Sequence, residues 1–392
     1  MKKLLVLLLL IPYSLFAQKE HGKISGSVID EQTKQPIENV NIYIAKSLIG
    51  TSTNKNGKFN LAKIPTGRYE VIFSHVSYLN HSEKIEILGN RNINLDIVLS
   101  PKPIEFPDVD VVDKYDDEWE DNFEKFKEGL LGKTEFADAC TIENPYTVSF
   151  EKDDNGILYA HADGPLKIIN EGLGYEVTFF LKHFEMSFYD VLYSGLPFFK
   201  ELPCSSEEQK KMREYNRLRA YMGSLRHFLR SLAESYQLIR EGKDSVKLVI
   251  DLEDATDNGV KYFYDDKMFL SKQGFAADLI EPIKYVHLNK FMLHPFFPDS
   301  VVAKSKNPNE LYFVCDKLIQ IVYDKEYDDL TYDPQVSRIA LHADSVYFDK
   351  MGRYYDEFTV QTFGYMSKQR LSEILPFEYE PSDSLLINTD FR

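Results

Sequence analysis

The sequence predicts a β-rich protein of more than one domain: a small N-terminal β-sandwich, then a larger α+β part with one long amphipathic helix. Three observations predict it. Residues 23–99 alternate apolar and polar side chains between turn signals about ten residues apart, the period of half-buried strands. Phe and Tyr, 27 and 25 of them, lift the aromatic share to 14%, and flat rings pack well on pleated surfaces. Over 206–240 the apolar period becomes helical. A chain of 392 residues, 43% hydrophobic and 28% charged, can build two or three cores.

The chain opens "MKKLLVLLLLIPYSLFAQ". Lys2 and Lys3 make a positive start, Leu4 to Ile11 an apolar run too short to span a bilayer comfortably, and Ala17 a small residue before a cut. Residues 1–17 therefore read as a secretory signal peptide, with an uncleaved anchor as the alternative. No Cys near the cut suggests a lipoprotein, and no later run is apolar enough for a transmembrane helix. The formal charge is −16, and −18 once Lys2 and Lys3 are removed. Such a surface repels phosphate backbones, so nucleic acid is excluded as a partner. Cys140, Cys204 and Cys315 are odd in number and form no C-x-x-C. At least one stays unpaired in a monomer, and buried inert thiols are the simplest reading.

In the predicted sandwich, "KISGSVID" places Ile24, Gly26 and Val28 on one side, and "VNIYIA" places Val40, Ile42 and Ile44 there. "RYEVIFSH" does so with Tyr69, Val71 and Phe73, and "INLDIVL" with Ile93, Leu95, Ile97 and Leu99. Asn56-Gly57 suits a tight hairpin and Pro65-Thr66-Gly67 another turn. The residues "GSVID" at 26–30, "PIENVNIYI" at 36–44, "GTSTNKNGKFNLAKIPTGRYEVIFS" at 50–74 and Tyr78 give this segment its resemblance to the carboxypeptidase-like regulatory domain. That resemblance implies a prealbumin-like β-sandwich, an accessory module without catalytic residues. The same module precedes some TonB-dependent outer-membrane transporters of the starch-utilisation type.

Pro101, Pro103 and Pro107 make residues 100–113 a linker. In 114–132, Trp119, Phe123, Phe126 and Leu130 form one helical stripe that ends at Gly132, a helix that should dock on the larger domain. Residues 134–385 mix strand-like stretches ("GILYAHADGPLKII", "YEVTFFLKHFEMSFYDVLYSG", "VSRIALHADSVYFD") with one helix over about 206–240. Ser205 and Glu208 have capping-box spacing, and Leu218, Tyr221, Met222, Leu225, Leu229 and Leu232 form the apolar face. This part resembles the C-terminal portion of uncharacterised exported proteins, on "CTIENPYTVSF", "ADGPLKIINEGLGYEV" and "YMGSLRHFLRSL". The linker predicts two separately folding modules.

Chemistry-bearing motifs are sparse. None of the nine His has a Glu three residues later, and H-E-x-x-H is missing, which excludes the metallopeptidase patterns. G-x-S-x-G, Walker A and dinucleotide glycine motifs are missing too; Gly223-Ser224 lies inside a helical pattern. Two His-x-Asp pairs, His161 with Asp163 and His342 with Asp344, could face a metal if their strands lay side by side; solvent-facing polar residues are the simpler reading. Arg219, Arg226 and Arg230 lie within about 40° on one helix face. They suggest an anion site for lipid phosphate or an acidic glycan, or else internal pairing with acids. "DATDNG" at 254–259 lacks the EF-hand ligand series. No catalytic residue, cofactor or metal is assigned.

The functional expectation is a non-enzymatic, exported cell-envelope protein, periplasmic or outer-membrane-associated, that binds an envelope protein, glycan or lipid. One alternative is an envelope hydrolase whose carboxylates come from distant strands. The other is a component of a TonB-dependent transporter, since "PDVDVVD" at 107–113 resembles the stretch before the plug of such receptors. The 392 residues leave too little chain for a plug and a 22-stranded barrel.

Overall fold

The computed structural model describes residues 21–103, 115–188, 190–243, 248–251, 261–264, 273, 275–282, 291–295, 298–307, 309–327, 334–355 and 358–391. The signal peptide, most of the linker and the acidic cluster at 254–259 lie outside the described residues.

The N-terminal part has seven strands: β1 (His21–Asp30), β2 (Asn41–Ile44), β3 (Gly50–Ser52), β4 (Lys58–Pro65), β5 (Gly67–Ser74), β6 (His81–Ile87) and β7 (Asn92–Leu99). They form two sheets, β4-β1-β7 and β3-β2-β5-β6. Burying one face of each sheet is what the alternation demands. Ile24, Val28, Val40, Ile42, Val71 and Phe73 are all fully buried between them, and Phe59 meets Phe73 edge-on at 5.6 Å across the gap. β1 runs parallel to β7 and antiparallel to β4.

Two local expectations change here. Asn56-Gly57 does turn the chain, with Gly57 at φ 67° and its carbonyl accepting from Val28 N at 2.9 Å. A Cβ on Gly57 would lie 2.5 Å from the Val28 carbonyl oxygen. It closes no hairpin, however, because β3 pairs with β2 and β4 with β1, so the turn carries the chain between sheets. The start of the linker also belongs to the sandwich: Leu79 N donates to Ser100 O and Lys102 N to Ser77 O, both at 2.9 Å.

The larger part begins with α1 (Asp117–Leu131) and α2 (Glu135–Asp138). Asp116 caps α1 by accepting from Trp119 N, and Gly132 ends it at φ 95°. The stripe docks as its spacing requires. The Trp119 ring stacks on Phe123 and Tyr146, its indole N–H donates to Val148 O at 3.0 Å, and Phe126 meets Phe184 at 4.8 Å.

Next in the chain is a six-stranded sheet, from β8 (Cys140–Ile142), β9 (Val148–Lys152), β10 (Leu158–Ala162), β11 (Leu166–Asn170), β12 (Tyr175–Met186) and β13 (Val191–Glu201). After α3 (Glu207–Tyr221) and α4 (Leu225–Arg240) come β14 (Leu248–Asp251), β15 (Lys261–Tyr264), β16 (Phe275–Pro282), β17 (Phe291–Pro295), β18 (Val302–Lys304), β19 (Glu310–Phe313), β20 (Leu318–Tyr327), β21 (Pro334–Leu341), β22 (Val346–Asp349) and β23 (Val360–Gly364). They give a pair β14-β15, a five-stranded sheet β17-β16-β20-β21-β23 and a three-stranded sheet β18-β19-β22. One continuous apolar core, from Phe126 to Leu386, joins the helices with the six-, five- and three-stranded sheets. The fold is thus β-rich, with a sandwich and a larger α+β part.

The single long helix of 206–240 is two helices. Gly223, at φ 74°, breaks it, and Ser224 caps α4 by accepting from His227 N at 3.2 Å. A Cβ at Gly223 would meet Gln335 Oε1 and Tyr323 Cδ1, both at 2.8 Å. His227 fixes the corner from inside: its Nδ1 accepts from Gly223 N, its Nε2–H donates to Gln273 Oε1, and burial holds its pKa down at about 3. The cap of α3 is Ser206, which accepts from Gln209 N at 3.1 Å, rather than Ser205.

Candidate ligand-binding cleft

The strands that alternate so cleanly inside the sandwich also carry apolar residues on the outward face. On β5 that face holds Arg68, Glu70 and Ile72; on β2 it holds Tyr43. Ile72 packs with Ala45 against Phe180 and Leu196 of the six-stranded sheet. Tyr43 stacks on Phe198 at 4.1 Å. The backbone joins in: Lys46 N donates to Pro197 O at 2.6 Å, Phe199 N to Ser47 O at 3.0 Å and Phe377 N to Lys46 O at 2.8 Å. The loop after β2 thereby pairs with the edge of β13 that β12 leaves uncovered.

Beside this docking surface lies a cleft of about 440 Å³, within the usual range for small-ligand sites. One wall comes from β5 and β6, with Arg68, Glu70, Lys84 and Glu86; the other from Tyr347, Tyr354, Phe358 and Phe377. Arg68 lies 4.5 Å over the Tyr347 ring, with Nε donating to Glu310 at 3.1 Å and Nη2 to Glu86 at 3.1 Å. Lys46 Nζ stands 5.4 Å from the Tyr354 ring centre.

A β-bulge shapes the third side. Leu181 pairs with Gly195 and His183 with Ser194, so Lys182 has no partner in the ladder. Bulges re-aim side chains in this way; Lys182 Nζ reaches Glu70 Oε1 at 2.8 Å. Ser194 is buried in the floor, and its hydroxyl has no hydrogen-bond partner among the described residues. An unpaired buried hydroxyl costs about 1–3 kcal/mol.

A second cleft, of about 600 Å³, lies beyond Tyr69 and Phe377, which line both. It holds Glu310, Asp349, Glu378 and Arg353. Glu310 and Asp349 stand directly opposite each other across β19 and β22, both buried. Both are occupied. Glu310 accepts from Arg68, although burial still pushes its carboxyl up. Asp349 accepts from the backbone N–H groups of Met351 and Arg353 and from Arg353 Nε at 2.5 Å.

The residues singled out in the sequence lie elsewhere. Arg226 donates to the carbonyls of Pro376, Phe377 and Tyr379, all at 2.9 Å. Arg230 donates to Pro381 O at 2.8 Å and to Asp383 at 2.6 Å. Arg219 pairs with Glu326 at 2.8 Å and with Glu135. The helix break also removes the common face that placed the three arginines together. Arg226 and Arg230 clamp the C-terminal segment and Arg219 pairs with acids. His161 sits on β10 and His342 just past β21, in different sheets, so the two His-x-Asp pairs are not brought together. All four of His161, Asp163, His342 and Asp344 are exposed, and His342 meets Gln361 at 2.6 Å. Among the described residues no group of three or more His, Cys, Asp or Glu is placed to hold a metal ion. Cys140 is buried, its thiol pushed up to about 12 by burial, but Cys204 is exposed, against the expectation of buried thiols. Tyr43 and Ile72, apolar on an outward face, are the signal that sequence reasoning passed over.

Among the described residues no helix is long and apolar enough to cross a membrane. Solved structures similar to part of the chain include a type II cohesin–X-dockerin complex from Acetivibrio cellulolyticus (18% identity, TM-score 0.19, covering 20% of this chain and 58% of that one). A minor pilin of Streptococcus agalactiae is another (12% identity, TM-score 0.20, 23% and 48%). A third is a 5-hydroxyisourate hydrolase of Klebsiella pneumoniae (20% identity, TM-score 0.18, 21% and 92%). The chain thus spans about half the length of the first two. No curated protein matches it. Residues 24–111, the sandwich and the segment after it, match the CarboxypepD_reg-like domain.

Proposed function

We propose that this protein is an exported, non-enzymatic binding module of the cell envelope, periplasmic or outer-membrane-associated, whose ligand enters the cleft between the sandwich and the larger part. The observation that carries this reading is that both parts build the cleft: Arg68 and Lys84 come from one, and Tyr347, Tyr354 and Phe358 from the other. Rings on one side and fixed charges on the other are what a site for a polar ligand needs. The N-terminal charge-then-apolar pattern and the accessory domain at 24–111 support export.

A thermal-shift screen of glycans, peptides and lipid headgroups tests it. Compounds that stabilise the wild type should fail to stabilise Tyr354→Ala or Phe358→Ala; equal shifts in those variants would place the site elsewhere. Fractionation tests the location. Release by osmotic shock fits a soluble module, whereas recovery only from detergent-extracted outer membrane would favour association with a transporter.

The second cleft favours one rival. Glu310 and Asp349, facing each other across two strands, are the pair an envelope hydrolase would need from distant segments. Arg68 and Arg353 neutralise both, which supports a bracing role. Turnover of glycan or ester by the purified protein, lost in Glu310→Gln, would establish the rival.

A further inference from the structure

We infer, resting on the reading that the inter-domain cleft is the binding site, that its ligand is a saccharide carrying a carboxylate. Its walls match the separate parts of such a molecule. Tyr354 and Phe358 offer ring faces on which the C–H face of a pyranose can lie. Arg68, Lys84 and Lys182 stand around the same space; Arg68 is held by Glu86 and Glu310 and Lys182 by Glu70, while Lys84 makes no ion pair among the described residues. A cation with no carboxylate partner, on a chain of net charge −16, is one that a ligand's single negative charge can meet.

The carboxylates narrow the class further. Glu70 and Glu86 accept hydrogen bonds, as sugar hydroxyls require, but they oppose a doubly charged phosphate far more than a single carboxylate. Ser194 adds an independent pointer. It is 3% exposed, lines the cleft, and its hydroxyl has no partner among the described residues. A ligand hydroxyl would supply one. The bulge that leaves Lys182 outside the ladder places that cation beside Ser194's strand position and over Glu70. A space of about 440 Å³ takes one or two sugar rings.

The test is calorimetric titration of the full chain with disaccharides of galacturonate, glucuronate and mannuronate, each beside its neutral hexose counterpart. At least one uronate should bind tenfold or more tightly than its neutral counterpart, and raising the salt should weaken it severalfold. Lys84→Gln, at an exposed position, should weaken the uronate at least fivefold and leave any neutral-sugar affinity unchanged. Ser194→Ala should weaken binding about fivefold without lowering the melting temperature, a combination that a purely structural serine would not give. Equal binding of neutral sugars with no dependence on Lys84 would overturn the carboxylate assignment and leave the cleft reading standing. Binding of none of the six sugars would overturn the inference outright. Stabilisation by a non-saccharide that depends on Tyr354 would then still preserve the cleft, and its absence would remove both.

Discussion

The two faces of the sheet β3-β2-β5-β6 behave differently, although the same strands make them. The inward face carries Ile42, Ile44, Val71 and Phe73, all fully buried, and forms the sandwich core. The outward face mixes Tyr43 and Ile72 with Arg68 and Glu70; it docks the larger part and then opens into the cleft. The first face is specified locally, by a period of two. The second depends on residues far along the chain, such as Glu310 beneath Arg68. An apolar residue on the polar face of an alternating strand is therefore a mark of docking, and charges beside it mark where docking stops.

The largest expected effect separates the faces by position alone. Phe73→Ala empties the sandwich core and should destabilise it by about 3–5 kcal/mol. Urea denaturation followed by far-ultraviolet dichroism checks this; the single transition should move to lower urea without splitting. Ile72→Ala, one residue away on the other face, should cost about 2–4 kcal/mol. Here the loss should appear as uncoupling, with one denaturation transition resolving into two. A single transition shifted as in Phe73→Ala would erase the distinction between the faces.

Glu373 provides a reference point remote from both faces. It is buried beneath Thr134, and burial raises its carboxyl from 4.5 to about 7. Between those values the folded state holds a proton that the unfolded state has released. Stability should therefore fall as pH rises from 4.5 to about 7, then stay level with respect to this group. Glu373→Gln should remove that slope and add about 2–3 kcal/mol at pH ~8. Chemical denaturation at a series of pH values measures it. The smallest effect belongs to Lys182→Ala. Its pair with Glu70 is well exposed on the lysine side, so the loss should stay below about 1 kcal/mol and shrink with salt.

Much of the fold was legible because local rules decide it. The buried sides of β1, β2 and β5 obey the alternation, and α1 runs from Asp116 to Gly132 with its aromatic stripe inward. The helix pair was less legible. Gly223-Ser224 combines a stop residue with a cap residue, yet the apolar spacing from Leu218 to Leu232 runs across it. Only the close approach of Tyr323 and Gln335 shows why the break must be there. The arginines were legible as a stripe and not as clamps, since the acceptors of Arg226 and Arg230 are carbonyls at 376–381, far along the chain. The cleft was not legible, because neither part contains it alone and no linear motif records a meeting of β5 with Tyr347 and Tyr354.

As proposed above, the binding site exists only where the two parts meet. Ile72→Asp tests it most directly, since it places a charge in the docking surface and leaves the inward core face untouched. Affinity for the compounds that stabilise the wild type should be measured in this variant, with dichroism and two resolved melts confirming that both parts remain folded. Binding should be lost while both folds persist. Undiminished binding in the undocked variant would put the site within a single part and contradict that proposal.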